Sequence, residues 1–347
     1  MSGTPPPLRV GILGAAAIAP NAIVKPARAT PGVEVVAVAA RDRQRADEFA
    51  RRHGIATTYA GYDALLDDPA IDAVYIPLPN GLHGAWTLRA LDAGKHVLCE
   101  KPFTANAAEA VEVAARAAAS DRVVMEAFHW RYHPLMQRLV DLSTSGVLGE
   151  VRHLDAGFCF PLLKRNDIRW DRSLAGGSLL DAGCYAVHQL RTVGGAVAGV
   201  EPMVTSAEAT LTAGGVDREL SGELRFIDGP TASLRCGFLN TSRPLDLHLR
   251  VTGTEGEVLA VNPVAPHLFG HLRIKLGNDR RRIEWADRTP SYTYQLRAFV
   301  DAVRDGTPFP TTPADAVRTM EVIDSLLRAA GTTPPDPTPV PARTAAP

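Results

Sequence analysis

A turn of small residues follows the first apolar segment of the chain, and its spacing fits phosphate binding. The segment Leu8–Gly14 (LRVGILG) is typical of a buried strand. Gly14, Ala16 and Ala19 then occupy the three positions of a GxGxxG/A turn, where we expect a helix to begin. Alanine at the second position crowds a pyrophosphate without excluding it, and the helix start offers free N–H groups. An ordinary strand–helix turn explains the pattern equally well. The candidate cofactor-binding residues here are Gly14, Ala16, Ala17 and Ile18.

The second predicted strand ends in a cation where NAD-binding proteins usually carry an acid. The run VVAVAA ends at Ala40 and is followed by Arg41, with Arg43 and Arg45 close behind. A carboxylate there would hold the ribose 2′-hydroxyl of NAD, whereas a guanidinium pairs with the 2′-phosphate of NADP. We therefore predict NADP as the cofactor, NAD as the second candidate, and Arg41 as the phosphate ligand. Routine arginines at a solvated helix start are the alternative.

A lysine before a proline is the clearest candidate for a reactive cation. Pro102 follows Lys101 and biases it toward an extended conformation at the end of the apolar strand HVLCE. Ligands of open α/β sheets bind at the strand ends, so the ammonium group would face that crevice. An isolated Glu-Lys-Pro sequence is more often a solvated turn, and the assignment therefore depends on the flanking sequence.

Two regions with different patterns of predicted secondary structure must position these residues. Up to about Met125, buried strand-like runs alternate with helical segments such as Arg43–His53, which predicts a parallel sheet between helices. After about Glu150, strand-like runs follow one another, which predicts a large, open, mainly antiparallel sheet. The predicted fold class is α/β, with an N-terminal Rossmann domain, a doubly wound parallel sheet, and a C-terminal α+β domain. The predicted boundaries are 7–125 for the dinucleotide-binding domain, 126–331 for the substrate-binding and oligomerisation domain, and 332–347 for a disordered tail.

Composition excludes several classes of function. The 347 residues include 37 basic and 38 acidic side chains, so there is no net field to hold a nucleic acid. No apolar run approaches the ~20 residues that span a bilayer, and the N-terminus lacks the pattern of a signal peptide. The four cysteines form no CxxC pair, which favours a reduced, cytoplasmic protein over a disulfide or zinc framework.

Metal and serine chemistry find little support. His129 and His133 are spaced i, i+4 and follow Glu126, but the HExxH pattern of zinc enzymes is absent. We therefore predict no metal site. Gly176-Gly177-Ser178 is not a GxSxG nucleophile elbow, which disfavours a serine hydrolase.

Six longer motifs occur in order along the chain: GILGAAAIA (11–19), AARD (39–42), IPLPNGLH (76–83), AGKHVLCEKP (93–102), EAFHWRYHP (126–134) and GGSLLDAGCYAVH (176–188). Together they resemble the Gfo/Idh/MocA oxidoreductases, named after glucose–fructose oxidoreductase, inositol dehydrogenase and a rhizopine catabolism protein. The similarity covers nearly the whole chain before the predicted tail. It implies a Rossmann domain followed by an open sheet, with the active site between them and hydride transfer between nicotinamide and a sugar or cyclic polyol.

The resemblance also implies roles for individual residues. Asp181 is followed by Tyr185 where many relatives have histidine, which resembles the branch of dimeric dihydrodiol dehydrogenases and glucose–fructose oxidoreductase. Residues spaced i, i+4 share one helix face, so both can line one wall of the pocket, and His188 either reaches the same side or packs in the core. The implied catalytic residues are Lys101 and Tyr185, and the implied substrate-binding residues are His129, Asp181 and Tyr185. Further implied cofactor-binding residues are Leu78, Asn80, His83, Glu100, Lys101, Arg169 and Trp170, although Trp170 fits inter-domain packing equally well.

The sequence thus predicts an NADP-dependent oxidoreductase for a sugar, sugar derivative or vicinal diol, as a dehydrogenase or a ketoreductase. Tyr185 would exchange the hydroxyl proton, with Lys101 lowering its pKa from about 10 and polarising the carbonyl. Lys101 as the proton carrier stays open, as do the substrate and the direction of reaction. The alternatives are a non-catalytic dinucleotide-binding regulator and an NAD-dependent glycosidase. Relatives cover the open sheet by pairing across a two-fold axis, which implies a homodimer or homotetramer.

Overall fold

The first domain is a six-stranded parallel sheet in a computed structural model that describes residues 6–238 and 245–342. The strand order β3-β2-β1-β4-β5-β6 reverses direction between β1 and β4, as in doubly wound nucleotide-binding folds. The fold class predicted for this domain is therefore confirmed. The strands are β1 (Leu8–Leu13), β2 (Val33–Ala40), β3 (Thr57–Ala60), β4 (Ala73–Ile76), β5 (His96–Cys99) and β6 (Val124–Glu126).

Helices cross between these strands and have identifiable ends. Asp42 caps the second helix by accepting from the Gln44 N–H at 2.8 Å, and Gly54 ends it in the left-handed conformation. The helices of this domain are α1 (Lys25–Arg28), α2 (Arg43–His53), α3 (Tyr62–Leu66), α4 (His83–Asp92) and α5 (Ala107–Ala118). Strand β3, which is half exposed, was not anticipated from the sequence.

The helix after the small-residue turn begins later than its sequence predicts. A π-helical turn at Pro20–Val24 leads into α1, and residues 15–18 form an irregular loop. Proline suits the first turn of a helix because its missing N–H has no intrahelical partner there. The loop between Gly14 and Ala19 is therefore longer than expected and lies open at the end of β1.

The second domain is built on eight strands in the order β14-β13-β12-β11-β7-β10-β9-β8. All neighbouring pairs are antiparallel except β7 with β10, so the predicted open, mainly antiparallel sheet is confirmed. The turn Gly253-Thr254-Glu255-Gly256 joins β11 to β12 as a hairpin. The strands are β7 (Val151–Cys159), β8 (Met203–Leu211), β9 (Asp217–Arg225), β10 (Thr231–Gly237), β11 (Asp246–Gly253), β12 (Gly256–Val261), β13 (His271–Leu276) and β14 (Arg282–Trp285).

Three helices contact this sheet, and alternate strand residues face them. The remaining helices of the chain are α6 (Pro134–Thr144), α7 (Cys184–Ala198), α8 (Pro266–Phe269), α9 (Ser291–Asp305) and α10 (Pro313–Ala329). Helices α6, α7 and α10 pack on the sheet, against buried side chains such as Leu154, Ala156 and Leu234. The intervening residues carry a polar network in which His248 lies between Asp155 (2.8 Å) and Asp246 (2.7 Å). Among the described helices, none is long and apolar enough to cross a membrane.

The segment after α10 is irregular but is held against the rest of the molecule. Residues 332–342 contain no helix or strand, and Pro335 is buried. The Thr338 N–H donates to the Gly81 carbonyl at 2.8 Å, and its hydroxyl donates to the Ser173 carbonyl at 2.5 Å. These contacts differ from the expected disordered tail, and residues 343–347 lie outside the described part of the chain. The domain boundaries stay predictions.

Candidate active site

A cleft of about 400 Å³ separates the two sheets at the carboxyl ends of the Rossmann strands. The loop after β1, the end of β5 and the first turns before α7 all open onto it. Such a cleft, at the point where strand order reverses, is where open α/β sheets bind ligands. The predicted site residues that line it are Ala16, Ala17, Ile18, Leu78, Asn80, His83, Glu100, Lys101, His129, Arg169, Asp181 and Tyr185.

Three predicted residues lie outside the lining. Gly14 lies just behind it with φ +114°, a conformation that favours glycine, and a Cβ there would come within 3.0 Å of Leu78. Arg41 is exposed at the end of β2. It lies beside the loop after β1, since the Gly14 N–H donates to the Ala39 carbonyl at 2.8 Å and joins the ends of the two strands. Trp170 packs edge-on against Phe238 of its own domain, with ring centroids 5.1 Å apart.

Lys101 and Asp181 form the charged centre of the cleft. The Lys101 ammonium donates to the Asp181 carbonyl oxygen at 2.6 Å and lies 3.6 Å from its carboxylate. Burial lowers the pKa of Lys101, but Asp181, Cys184 and Glu100 together more than offset this effect, and the pKa lies above its ordinary value. Burial likewise raises the pKa of Asp181, yet Lys101 and Arg169 together hold it below its usual range. Both groups are therefore charged at neutral pH.

Tyr185 lies next to this pair. The Lys101 ammonium is 5.0 Å from the centre of the Tyr185 ring, and so lies over the ring. Burial raises the pKa of the Tyr185 phenol well above its ordinary value, and Tyr292 and Glu100 raise it further. The net direction is opposite to the lowering expected from the nearby Lys101, because burial dominates in the protein alone. The phenol is protonated at neutral pH.

Three residues predicted to bind the cofactor use their polar groups in hydrogen bonds within the protein. The Arg169 Nε donates to the Asp181 carboxylate at 2.7 Å. The ring nitrogens of His83 lie 2.6 and 2.8 Å from the carbonyl oxygens of Pro102 and Leu78, which ties two of the lining turns together. Asn80 donates across the cleft to the Ala175 carbonyl at 2.9 Å. These three residues shape the cleft through contacts within the protein.

His188 belongs to a neighbouring buried network instead of the cleft wall. Its Nδ1 accepts from the Trp130 indole at 3.1 Å, and its Nε2 lies 3.0 Å from the Asp315 carboxylate. An indole only donates, so Nδ1 is unprotonated and the neutral ring donates from Nε2. The ring stacks on Phe128, which in turn contacts the Tyr185 ring edge-on at 5.4 Å. His188 is thus a packed residue.

Three residues that complete the site have no local signal in the sequence. Tyr292 and Ser291 begin α9 and contact His129, more than a hundred positions away in the chain. Asp217 accepts from the Leu179 N–H at 2.7 Å and from the Ser178 hydroxyl at 2.8 Å, and so anchors the turn that carries Asp181. Tertiary folding brings these residues in, and no local spacing marks them. Among the described residues, no group of His, Cys, Asp or Glu side chains is arranged to hold a metal ion.

Comparison with known proteins gives a consistent picture. Residues 8–128 match the model of an oxidoreductase family with an NAD-binding Rossmann fold, and residues 136–259 match the GFO/IDH/MocA C-terminal domain. The chain is 39% identical to D-xylose 1-dehydrogenase (NADP(+)) 2 of Haloferax volcanii, over 93% of this chain and 97% of the relative. It is 34% identical to dTDP-3,4-didehydro-2,6-dideoxy-alpha-D-glucose 3-reductase of Streptomyces antibioticus, over 94% and 98% of the two chains.

A solved structure shows the same architecture. The 3-ketoreductase KijD10 from Actinomadura kijaniata, in complex with NADP and TDP-benzene, superposes with a TM-score of 0.84 at 30% identity. The match covers 93% of this chain and 98% of that one. Two family models, full-length relatives and a common fold agree with the motifs read from the sequence. The chain therefore belongs to the Gfo/Idh/MocA family of oxidoreductases.

Proposed function

We propose that this protein is an NADP-dependent oxidoreductase that transfers a hydride between nicotinamide and a sugar, sugar derivative or vicinal diol. The main support for this proposal is that Lys101, Asp181 and Tyr185 lie together in one cleft, beside the loop after β1. A charged lysine and a protonated phenol next to a dinucleotide-binding turn form a suitable pair for a carbonyl or hydroxyl oxygen. Relatives named as sugar dehydrogenases and ketoreductases support the same class of substrate.

The loop after β1 fits a dinucleotide. Gly14 allows the chain to turn sharply. Ala16, Ala17 and Ile18 border the cleft, and of these only Ile18 has a large side chain. Arg41 stands exposed beside this loop, and Arg45 reaches the Ala15 carbonyl at 3.4 Å. Two guanidinium groups near the end of β2 support NADP over NAD, because the Asp42 carboxylate that follows Arg41 is engaged as a helix cap by the Gln44 N–H at 2.8 Å.

The residues of the chain would divide the chemistry as follows. When bound, nicotinamide gives or takes the hydride. Lys101, held by Asp181, orients and polarises the substrate oxygen with its charge. Tyr185 gives its proton to that oxygen during reduction, or takes it during oxidation. We assign the fixed charge to Lys101, which stays protonated beside Asp181, and the proton transfer to Tyr185.

A panel of substrates with both cofactors tests the proposal. D-xylose, other aldoses, keto-sugars and trans-dihydrodiols are mixed with NADP(H) or NAD(H), and the absorbance of reduced nicotinamide is followed. We expect turnover with NADP(H) and a weaker response with NAD(H). Binding of NADP without turnover of any substrate would indicate a dinucleotide-binding regulator. Release of free sugar without net cofactor change would indicate a glycosidase.

The choice of cofactor is tested by Arg41→Asp. Because Arg41 would pair with the 2′-phosphate, the variant should bind NADP⁺ roughly ten- to a hundredfold more weakly and NAD⁺ about as well as the wild type. Arg43→Asp is the control, since Arg43 lies on the same helix start but pairs with Asp47 at 3.5 Å. Equal loss of both cofactors would make Arg41 structural, and a native preference for NAD⁺ would refute the assignment.

A further inference from the structure

The hydroxyl of Tyr185 has one described side-chain partner, the imidazole of His129. Nε2 of His129 lies 3.0 Å from the Tyr185 hydroxyl oxygen, and Nδ1 lies 2.8 Å from the Ser291 hydroxyl oxygen. The imidazole stacks on the Tyr292 ring, with centroids 3.8 Å apart, and only 1% of His129 is exposed. Ser291 is fully buried. Packing and two hydrogen bonds therefore fix the position of this ring.

The imidazole is neutral in this environment. Burial lowers the pKa of His129 to about 3, and the nearby Lys101 charge acts in the same direction. A neutral imidazole has one N–H and one bare nitrogen, so it can donate to only one of its two hydroxyl partners. The other hydroxyl must donate to the ring. The orientation of the Ser291 hydroxyl thus determines which nitrogen carries the proton.

The role of the Tyr185 phenol as a proton donor is compatible with only one tautomer of His129. During turnover the Tyr185 proton must point at the substrate oxygen, so the phenol oxygen can only accept from the protein. Nε2 must then carry the ring proton, and the Ser291 hydroxyl satisfies the bare Nδ1. The opposite arrangement would direct the phenol proton into the ring and away from the cleft.

We propose that His129 donates its Nε2–H to the Tyr185 oxygen and stabilises the phenolate that forms when Tyr185 gives its proton to the substrate, with Ser291 holding the ring in this tautomer. The inference rests on the proposed function. His129 is a positioning residue here, because it acts through Tyr185. The proton moves from the Tyr185 oxygen to the substrate oxygen as the hydride reaches the carbon, and a proton from solvent restores the phenol afterwards. In oxidation the same transfers run in reverse.

Other charged and titratable groups also face Tyr185 and His129 and influence the pKa values of both. The neutral imidazole provides a donor aimed at the phenol oxygen, whereas the Lys101 cation lies over the ring face. Removing this donor removes a hydrogen bond to a charged oxygen and should raise the pKa of the phenol. The groups facing Tyr185 are Glu100, Lys101, Asp181, Cys184 and Tyr292, and those facing His129 are Lys101, His133, His267 and Tyr292.

The tautomer can be observed without any substrate. The full-length protein is labelled with ¹⁵N-histidine, and long-range proton–nitrogen NMR spectra are recorded with and without NADP⁺. The His129 signals are identified by their loss in His129→Gln. We expect a neutral ring protonated at Nε2 in both states. A ring protonated at Nδ1, or an imidazolium near neutral pH, overturns the proposal.

Kinetics test the consequence with a matched pair of variants. His129→Gln and His129→Leu both lose the stacked ring, but only glutamine keeps a donor near the position of Nε2. With D-xylose and NADP⁺, His129→Leu should lose roughly ten- to a hundredfold in kcat, with KM little changed. The tyrosine limb of its pH–rate profile should move up by about 1–2 pH units, and His129→Gln should stay closer to the wild type.

The control is His133→Gln, since His133 caps α6 by accepting from the Leu135 N–H and exerts the weakest of the charge effects on the pKa of His129, so the pH profile should move much less than in His129→Leu. Equal kcat and an unmoved profile in His129→Leu overturn the proposal, and so does equal loss in both His129 variants. If D-xylose gives no turnover, the most active substrate of the panel replaces it. If no substrate turns over at all, the oxidoreductase assignment fails, while the NMR spectrum still decides the tautomer independently.

Discussion

At the scale of the residue, a buried carboxylate between two cations organises the site. Asp181 touches Lys101 on one side and Arg169 on the other, so its charge is neutralised inside the protein. A buried ion pair costs desolvation energy and is retained where its geometry has a use. Here it keeps Lys101 charged and fixed above the Tyr185 ring. The proton that the reaction moves is then left to the phenol.

Replacing each member of the pair separates their roles. Tyr185→Phe keeps the ring packing and removes only the ionisable oxygen, so kcat should fall by roughly 10²–10⁴-fold with little change in NADP⁺ affinity. Lys101→Met removes the charge and should also slow turnover, while some activity remains and titrates at higher pH. Steady-state pH–rate profiles measure both effects. If Lys101 carries the proton, the order reverses: Tyr185→Phe stays active and Lys101→Met is inactive at every pH.

What the sequence predicts about single residues depends on whether their neighbours are local. Asp181 and Tyr185 both line the cleft as their spacing predicts, although a π-helical turn at Leu179–Gly183 intervenes. Ser291 and Asp217 could not be found this way, because each meets the site from a distant element. Tyr185 itself was identified, but the direction of its pKa was not, because burial depends on the assembled core.

At the scale of the element, the sequence predicts the ends of helices well, because capping residues mark them. It predicts short exposed strands poorly. Thr312 caps α10 by accepting from the Asp315 N–H at 3.2 Å, as its position before Pro313 predicts. No pattern in the sequence marks strand β14 (Arg282–Trp285), since it is mostly exposed and polar and gains its structure from pairing with β13. Local chemistry marks a helix end, whereas an edge strand depends on its neighbour.

Helix α5 contains a carboxyl group that should reduce stability at neutral pH. Asn106 accepts from the Glu109 N–H at 2.9 Å, and Glu109 accepts from the Ala105 N–H at 2.9 Å, which forms a reciprocal cap. Burial raises the pKa of Glu109 to about 7, from an ordinary value of 4.5. Between these two values the folded chain binds more protons than the unfolded chain, so the free energy of unfolding falls as pH rises.

Glu109→Gln should therefore stabilise the protein at pH 8 and much less at pH 5. The amide keeps an oxygen that can accept from the Ala105 N–H and removes the cost of a buried charge. We expect a gain of roughly 1–3 kcal/mol in unfolding free energy at pH 8, measured by denaturant titration. Glu112→Gln, at an exposed position of the same helix, is the control and should have little effect at either pH. An equal change at both pH values would show that the carboxyl group is not buried in its charged form.

At the scale of the whole molecule, the face of the second sheet opposite α6, α7 and α10 is where we expect a second copy to bind. Leu259 lies on that face, between the buried inward residues Val258 and Ala260. The wild type should form at least a homodimer at micromolar concentration, by light scattering. Leu259→Asp should shift it toward monomer, because a charge would be desolvated in the interface. A monomeric wild type would refute this assembly.

The segment after α10 ties the two domains together at the rim of the cleft. Thr338 bonds to Gly81 of the first domain and to Ser173 of the second, and Arg172 donates to the Thr333 carbonyl at 3.1 Å. Gly81 is adjacent to Asn80, which lines the cleft. Truncation after Gly331 should keep the fold, since α10 remains, but should raise the Kd for NADP⁺ severalfold because the rim opens more easily. Hydrogen exchange at residues 80–82 and 172–174 should rise with it, whereas truncation after residue 342 should change neither. Unchanged affinity and exchange after the longer truncation would make the segment dispensable, as its composition alone predicts.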